Sequence, residues 1–128
     1  MAELRSQIRI STSDEVGKLA AGAGLLARAG VNILSLCAWV EGTTGHMLLI
    51  TDDNEKACSV LKGAVDKCEM GEVVTVMVPN KPGAMQAGGD ALAKAGINVK
   101  HIHATAAGSD ALIVLDTSDN AQAVKILG

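Results

Sequence analysis

The chain has 128 residues, a net charge of −3 and only eleven basic side chains, none of them clustered, which argues against a nucleic-acid footprint or an anionic-membrane anchor. No run of about 18 apolar residues is present to cross a membrane, and Met1-Ala2-Glu3-Leu4-Arg5 lacks the apolar region of a signal peptide, so a cytoplasmic protein is expected. Apolar residues make up 48% of the chain, yet Trp39 is its one Phe, Trp or Tyr, so the core must be built from small aliphatic side chains, as in compact α/β layers.

Ile8 and Ile10 alternate with Arg9, which reads as a first strand with one buried face. After Thr12-Ser13-Asp14-Glu15, the positions Val16, Leu19, Ala20, Ala23, Leu26 and Ala27 keep helical spacing, and Thr12 and Glu15 are placed for a capping box. Gly30 marks the helix end, where a left-handed residue commonly stops the ladder. Residues 31–41 and 47–51 then read as a hairpin closed by Gly42-Thr43-Thr44-Gly45. Asp53-Asn54 caps a second helix carrying Ala57, Val60, Leu61 and Ala64. A short segment around residues 64–68 completes the unit.

The same order then recurs. Leu25-Leu26-Ala27-Arg28-Ala29-Gly30-Val31-Asn32-Ile33 returns 66 positions later as Ala91-Leu92-Ala93-Lys94-Ala95-Gly96-Ile97-Asn98-Val99, and the offset also aligns Gly17 with Gly83, Gly22 with Gly88 and Asp53-Asn54 with Asp119-Asn120. Register held without a gap over some fifty residues identifies two copies of one small fold. Val74, Val76 and Val78 form the first strand of the second copy, Pro82 suits the first turn of its helix, residues 97–107 and 111–117 form its hairpin around Gly108-Ser109, and Asp119-Asn120 opens its last helix. Each copy reads β-α-β-β-α, the ferredoxin-like βαββαβ motif with helices on one face of an antiparallel sheet. The fold class is therefore α+β, with two units side by side, residues 1–70 and 71–128. Units of about 60 residues lie near the lower limit for an independent core, so the two are expected to pack on each other. The second lacks its last strand, because Gly128 is equivalent to Lys62. That leaves an edge at residues 72–78, which must be covered by another segment, residues 64–70 or a second chain.

Two short motifs carry a family likeness: Asn80-Lys81-Pro82-Gly83-Ala84 at the first turn of copy two, and Ala-Gly-(Val/Ile)-Asn-(Ile/Val) at the helix-to-strand junction of both copies. With the order of elements, they make nearly the whole chain resemble the ACT domain family, in particular small stand-alone proteins of two ACT domains. The resemblance implies an effector, usually an amino acid, held between neighbouring domains, with no catalysis and no cofactor. It implies contacts from the first-turn Asn80 and Gly83-Ala84, from the junction residues Ile97-Asn98 and Val31-Asn32, and from Asp14 and Gly17, which stand where Asn80 and Gly83 stand in copy two.

The residue chemistry agrees with that implication. A free amino acid presents a carboxylate and an ammonium, and an Asn side chain offers both a donor and an acceptor. A helix start adds unpaired N–H groups and a positive dipole end. Copy one departs from the family pattern in having Asp14 in place of Asn80: a carboxylate holds an ammonium but repels a ligand carboxylate. The two sites should therefore differ, with the one containing Asn80 and Asn32 binding better than the one containing Asp14 and Asn98. Taken singly, Asp14 and Asn80 also read as helix caps, and Asn32 and Asn98 as helix-exit residues.

His101 and His103 share one face of a strand. Leu34, Leu36, Ala38 and Val40 read as the helix-facing set of the equivalent strand, which puts the histidines on the opposite face, with Trp39 as an apolar anchor for a stacked sheet or chain. A His-x-His pair can begin a metal site with Cys37 or His46, but no full ligand set is present and none is assigned. Cys37, Cys58 and Cys68 form an odd set without CxxC spacing, which fits a reducing compartment better than a disulfide framework. No Ser/His/Asp or Cys/His arrangement and no phosphate-binding glycine loop is evident, so an enzyme is not expected. The expectation is a regulatory protein, forming a homodimer and acting on a metabolic enzyme, that senses an amino acid or related metabolite. The alternative is a non-catalytic interaction module without a metabolite ligand.

Overall fold

A computed structural model describes residues 2–128, which separate into two compact units, one formed by Ser6–Gly71 and the other by residues 2–5 together with Glu72–Gly128. The first unit contains residues 6–13 of β1 (Ala2–Ser13), then α1 (Lys18–Arg28), β2 (Ile33–Glu41), β3 (Thr44–Thr51), α2 (Asn54–Leu61) and residues 67–71 of β4 (Lys67–Pro79). Strand β3 pairs antiparallel with both β1 and β2, with Ile10 opposite Met47 and Cys37 opposite Leu48. β4 borders β1 on its other side, giving the ferredoxin-like order 4-1-3-2. Alternation along β1 turns Ile8 and Ile10 inward, where they meet Leu26 of α1, Leu49 of β3, and Ala57 and Leu61 of α2.

The second unit repeats this plan with residues 72–79 of β4, α3 (Ala84–Lys94), β5 (Val99–Ala107), β6 (Asp110–Thr117) and α4 (Asn120–Leu127). Its core gathers Val74, Val76, Leu92, Ile97, Ile113, Leu115 and Ala123. It also contains Ala2, which is buried. The edge of β4 is therefore covered, but by residues 2–5 and not by residues 64–70. Residues 67–71 are the leading part of β4 itself and cannot fold back along their own strand. The repeat accounts for the substitution: Ala2 stands 66 positions before Cys68, which packs against the core of the first unit.

The second helix of each unit starts as its sequence dictates. The Asp53 carboxylate accepts from the Lys56 amide and that of Asp119 from the Gln122 amide, both at 3.1 Å. The adjacent asparagines tie helix to sheet: Asn54 Oδ1 accepts from the Thr51 amide and hydroxyl while its Nδ2 donates to the Ser6 carbonyl, and Asn120 repeats the pattern with Thr117 and the Glu72 carbonyl. The helix exits also match, with Gly30 at φ +74° and Gly96 at φ +71°; the Val31 amide reaches the Leu26 carbonyl and the Ile97 amide reaches that of Leu92, the longer-range bond of a Schellman end.

The first helices start differently from the sequence reading. Thr12 belongs to β1 and is buried, so it does not form a capping box with Glu15; Ser13 Oγ donates to Glu15 instead, at 3.1 Å. Pro82 precedes α3, and the residues at the caps are Gly17 and Gly83, at φ +88° and +86°. Asp14 and Asn80 cap neither helix.

A bulge interrupts β2 between Ile33 and Ser35 and β5 between Val99 and His101. It shifts the alternation, so that Ile33 packs on the core and Leu36 also lies on the helix side, near Leu19 and Leu26. β2 is the outermost strand of its unit, so its helix-side residues Leu34, Leu36 and Val40 remain 40–53% exposed. Ser35, Cys37 and Trp39 are the better covered set.

Candidate functional site

In both units a turn of four residues delivers the chain from the first strand into the first helix, and a glycine in the left-handed region makes the last step. The chain emerges from that step with no side chain capping α1 or α3 and no acidic residue in the first turn of either. The first amides to find a helical acceptor are Ala21, on the Gly17 carbonyl, and Ala87, on the Gly83 carbonyl. The N–H groups of Leu19 and Ala20, and of Met85 and Gln86, therefore point outward from the positive end of the helix dipole. By contrast, α2 and α4 are closed by Asp53 and Asp119.

In the first unit this helix start faces a concavity of about 480 Å³, large enough for a small metabolite. Asp14 and Gly17 line it, joined by Lys18, Trp39, His46 and Met47. Trp39 and His46 are a cross-strand pair on β2 and β3, their rings stacked at 5.3 Å with a 20° interplanar angle, and Trp39 Nε1 donates to Glu41 at 2.8 Å. Lys18 Nζ donates to the Ala64 carbonyl at 3.1 Å and lies 3.9 Å from Glu15. The Asp14 amide is fixed on the Thr43 carbonyl of the β2–β3 turn, while its side chain stays exposed. Lys18 and His46 were not read as site residues from sequence. The signal for His46 was the register that sets it opposite Trp39; Lys18 had none.

In the second unit Asn80 is held to the β5–β6 turn twice, its amide donating to the Ser109 carbonyl at 2.9 Å and its Nδ2 to the Gly108 carbonyl at 3.0 Å. Ala84 is the first residue of α3. Val31 and Ile97 are buried core residues. The junction asparagines are pinned by their backbones: the Asn32 amide donates to Asp52 Oδ1 and the Asn98 amide to Ser118 Oγ, with the Asp52 and Ser118 amides returning bonds to the Asn32 and Asn98 carbonyls. Both side chains are left to solvent. Within a unit, the first-turn residue and the junction asparagine lie at opposite ends of an eleven-residue helix, about 16 Å long at 1.5 Å per residue. Neither unit by itself brings Asp14 to Asn32, or Asn80 to Asn98.

No family model matches the sequence, and no curated protein does. Solved structures do. Protein BT0572 from Bacteroides thetaiotaomicron superposes with a TM-score of 0.91 at 25% identity, over 98% of this chain and 88% of that one. The ligand-free regulatory subunit of aspartate kinase from Thermus thermophilus follows at 0.70 and 16%, over 99% and 95%. Aspartokinase III of E. coli in complex with lysine and aspartate gives 0.57 and 19%, over 98% of this chain but 31% of that one. The fold is ACT-like.

Of the remaining polar groups, His101 and His103 share one face of β5 with their rings edge-on at 5.5 Å. Burial, and then the neighbouring His101, hold the pKa of His103 below the ordinary histidine value of 6.5. Cys58 on α2 and Cys68 on β4 are joined as a disulfide, their Cα atoms 5.9 Å apart, inside the range for a bridge. The sequence reading of three unpaired cysteines is corrected here: the strand pairing that seats β4 against β1 is what brings two cysteines ten residues apart onto one core. Among the described residues, no helix is long and apolar enough to cross a membrane.

Proposed function

We propose that this chain is a non-catalytic regulatory protein that senses an amino acid or a related small metabolite at its ACT-like turns. The observation that carries the reading is the concavity at the uncapped start of α1, with the Asp14 carboxylate at its side. Outward N–H groups at a helix start suit a carboxylate, and Asp14 suits an ammonium, the two groups that every free amino acid carries. In the second unit Asn80 replaces Asp14, and with its Nδ2 tied to the Gly108 carbonyl its Oδ1 would be the acceptor for the same kind of ligand. The junction asparagines Asn32 and Asn98 complete the grip when a neighbouring ACT-like unit brings them to such a turn. The Asn80 turn should prefer a net-neutral amino acid. The Asp14 turn should bind it less tightly and favour an extra positive charge.

A differential affinity of this kind biases how units are placed, which is how such a protein would act on a metabolic enzyme. That one structural neighbour is described as a regulatory subunit, and another as a complex with lysine and aspartate, supports the choice of amino acids as first candidates. A thermal-shift screen against the twenty amino acids tests it, since a ligand at 100 times its Kd adds about 2.7 kcal/mol. At least one amino acid should raise the melting temperature, and Asn80→Ala, Asn32→Ala or Asp14→Ala should weaken that response without lowering the melting temperature of the free protein by more than a degree or two. Twenty silent amino acids, confirmed by calorimetry, would sink the proposal.

The exposure of Leu34, Leu36 and Val40 beside the open edge of β2 favours one other reading, a homodimer or partner interface that works without a metabolite. A Leu36→Lys variant that abolishes self-association or partner capture, in a protein silent in the amino-acid screen, would decide for it.

A further inference from the structure

The two copies also differ inside, under the first helix of each. A cavity of about 310 Å³ lies there between α3, α4 and the sheet, and every side chain lining it is aliphatic, Met, Ala or Gly. The equivalent place in the first unit, under α1, holds a crevice of only about 20 Å³. Most of the lining positions correspond across the 66-residue offset, and four exchanges show where the space comes from: Val76 stands for Ile10, Gly89 for Ala23 and Val99 for Ile33 within the two linings, and Ala91 for Leu25 beside the crevice. Each of these exchanges removes side-chain carbons, from β4, α3 and β5 in turn. The mouth does not account for the difference, because Met85 and Ile102 at the rim are about as exposed as Leu19 and Leu36 in the first unit.

We infer that this cavity is a binding site for a small neutral apolar molecule, such as an alkylbenzene or a branched aliphatic. Native interiors are close-packed, and an apolar hollow of this size, open at Met85 and Ile102, leaves apolar lining in contact with water that a bound apolar molecule would cover. An apolar cavity of about 150 Å³ takes up benzene, so twice that volume admits a molecule of roughly ten carbons. The lining presents no side-chain donor or acceptor, which excludes a carboxylate or ammonium head from its depth. The site is therefore distinct in chemistry from the amino-acid turns and does not depend on them. Helix α3 supplies the gate: Ala84, Gly88 and Gly89 leave its sheet-facing side thin, and the long unbranched Met85 at its start can swing to admit a ligand.

The test is a methyl-NMR titration of the intact protein with n-butylbenzene, followed by the variant Val76→Ile/Gly89→Ala/Ala91→Leu, which gives the second unit the first unit's wall. Saturable shifts confined to Val76, Leu92 and Ile113 are expected, with Ile10 and Leu26 unmoved, and the filled variant should lose at least tenfold in affinity. If the triple variant does not fold, Gly89→Ala alone serves, since a Cβ built there meets nothing within 4 Å. The inference is overturned by any of three results: no saturable shift up to the solubility of the probe, equal shifts in both units, or binding undiminished in the filled variant. It is equally overturned if diluting the protein without the probe moves the same methyls, for then a second copy fills the cavity.

Discussion

At Gly83 the backbone sits at φ +86° and at Gly89 it is helical, so the same residue type answers two different needs within seven positions. Gly83→Ala forces an L side chain into the left-handed region and should cost about 1–2 kcal/mol in urea unfolding. Gly89→Ala should do the opposite, adding about 0.5–1 kcal/mol because the helix interior gains a better former and the new methyl has open space. Asp119→Ala removes the carboxylate that holds the Gln122 amide and should cost about 1 kcal/mol, whereas Asp14→Ala, which caps nothing, should leave stability nearly unchanged. His103 gives the pH dependence. Its folded pKa is lowered, so the unfolded chain binds the extra proton first, and the stability linked to it is present above pH 6.5 and falls as the pH drops through that value. The melting temperature should therefore decline between pH 7.5 and 5.5, and the decline should be smaller in His103→Asn. Sequence alone exposed the glycines at helix exits and the Asp caps of α2 and α4, because local chemistry decides them. It misassigned Thr12, Asp14 and Asn80 as caps, since a cap competes with strand pairing and turn bonds that only the tertiary fold supplies.

Helices and strands were legible in order and type because each copy repeats its apolar spacing, which made every element a reading taken twice. The bulges in β2 and β5 were not, for one inserted residue changes which side chains face the helices without changing the composition of the strand. The bridge between α2 and β4 was equally hidden, because Cys58 and Cys68 meet only once the strand after α2 has been seated beside β1. The second unit places Val124 and Ala2 at the equivalent positions, and both pack on its core. An apolar pair can thus replace the bridge. Closing a loop of ten residues is worth about 2–3 kcal/mol in the chain-entropy account, so reductant should lower the melting temperature of the native protein. Cys58→Val/Cys68→Ala should fold, melt near the reduced protein and show no response to reductant. A native protein equally indifferent to reductant would refute the bridge's role.

Across the whole molecule, the division into two units does not follow the sequence. Residues 2–5 belong with Glu72–Gly128, and residues 67–71 belong with the first unit, so β1 and β4 each serve both. Deleting residues 2–5 should destabilise the second unit selectively, seen as faster hydrogen exchange at Val73 and Val74, which are now among the most deeply buried residues. Exchange at Ile8 should change far less. The repeat itself made the duplication legible, and it also located the open edge at residues 72–78. What it did not reveal was the closing strand, because that pairing joins positions some seventy residues apart and no local signal marks it.

The same crossing of the chain imposes a timetable on synthesis. Residues 2–5 leave the ribosome several seconds before residues 72–79 of β4, the strand they border, at about 5–20 residues per second. The first unit has all of its residues as soon as Gly71 has emerged, while residues 2–5 wait for the rest of β4 to follow. The segment that closes the second unit is thus made before any other part of that unit.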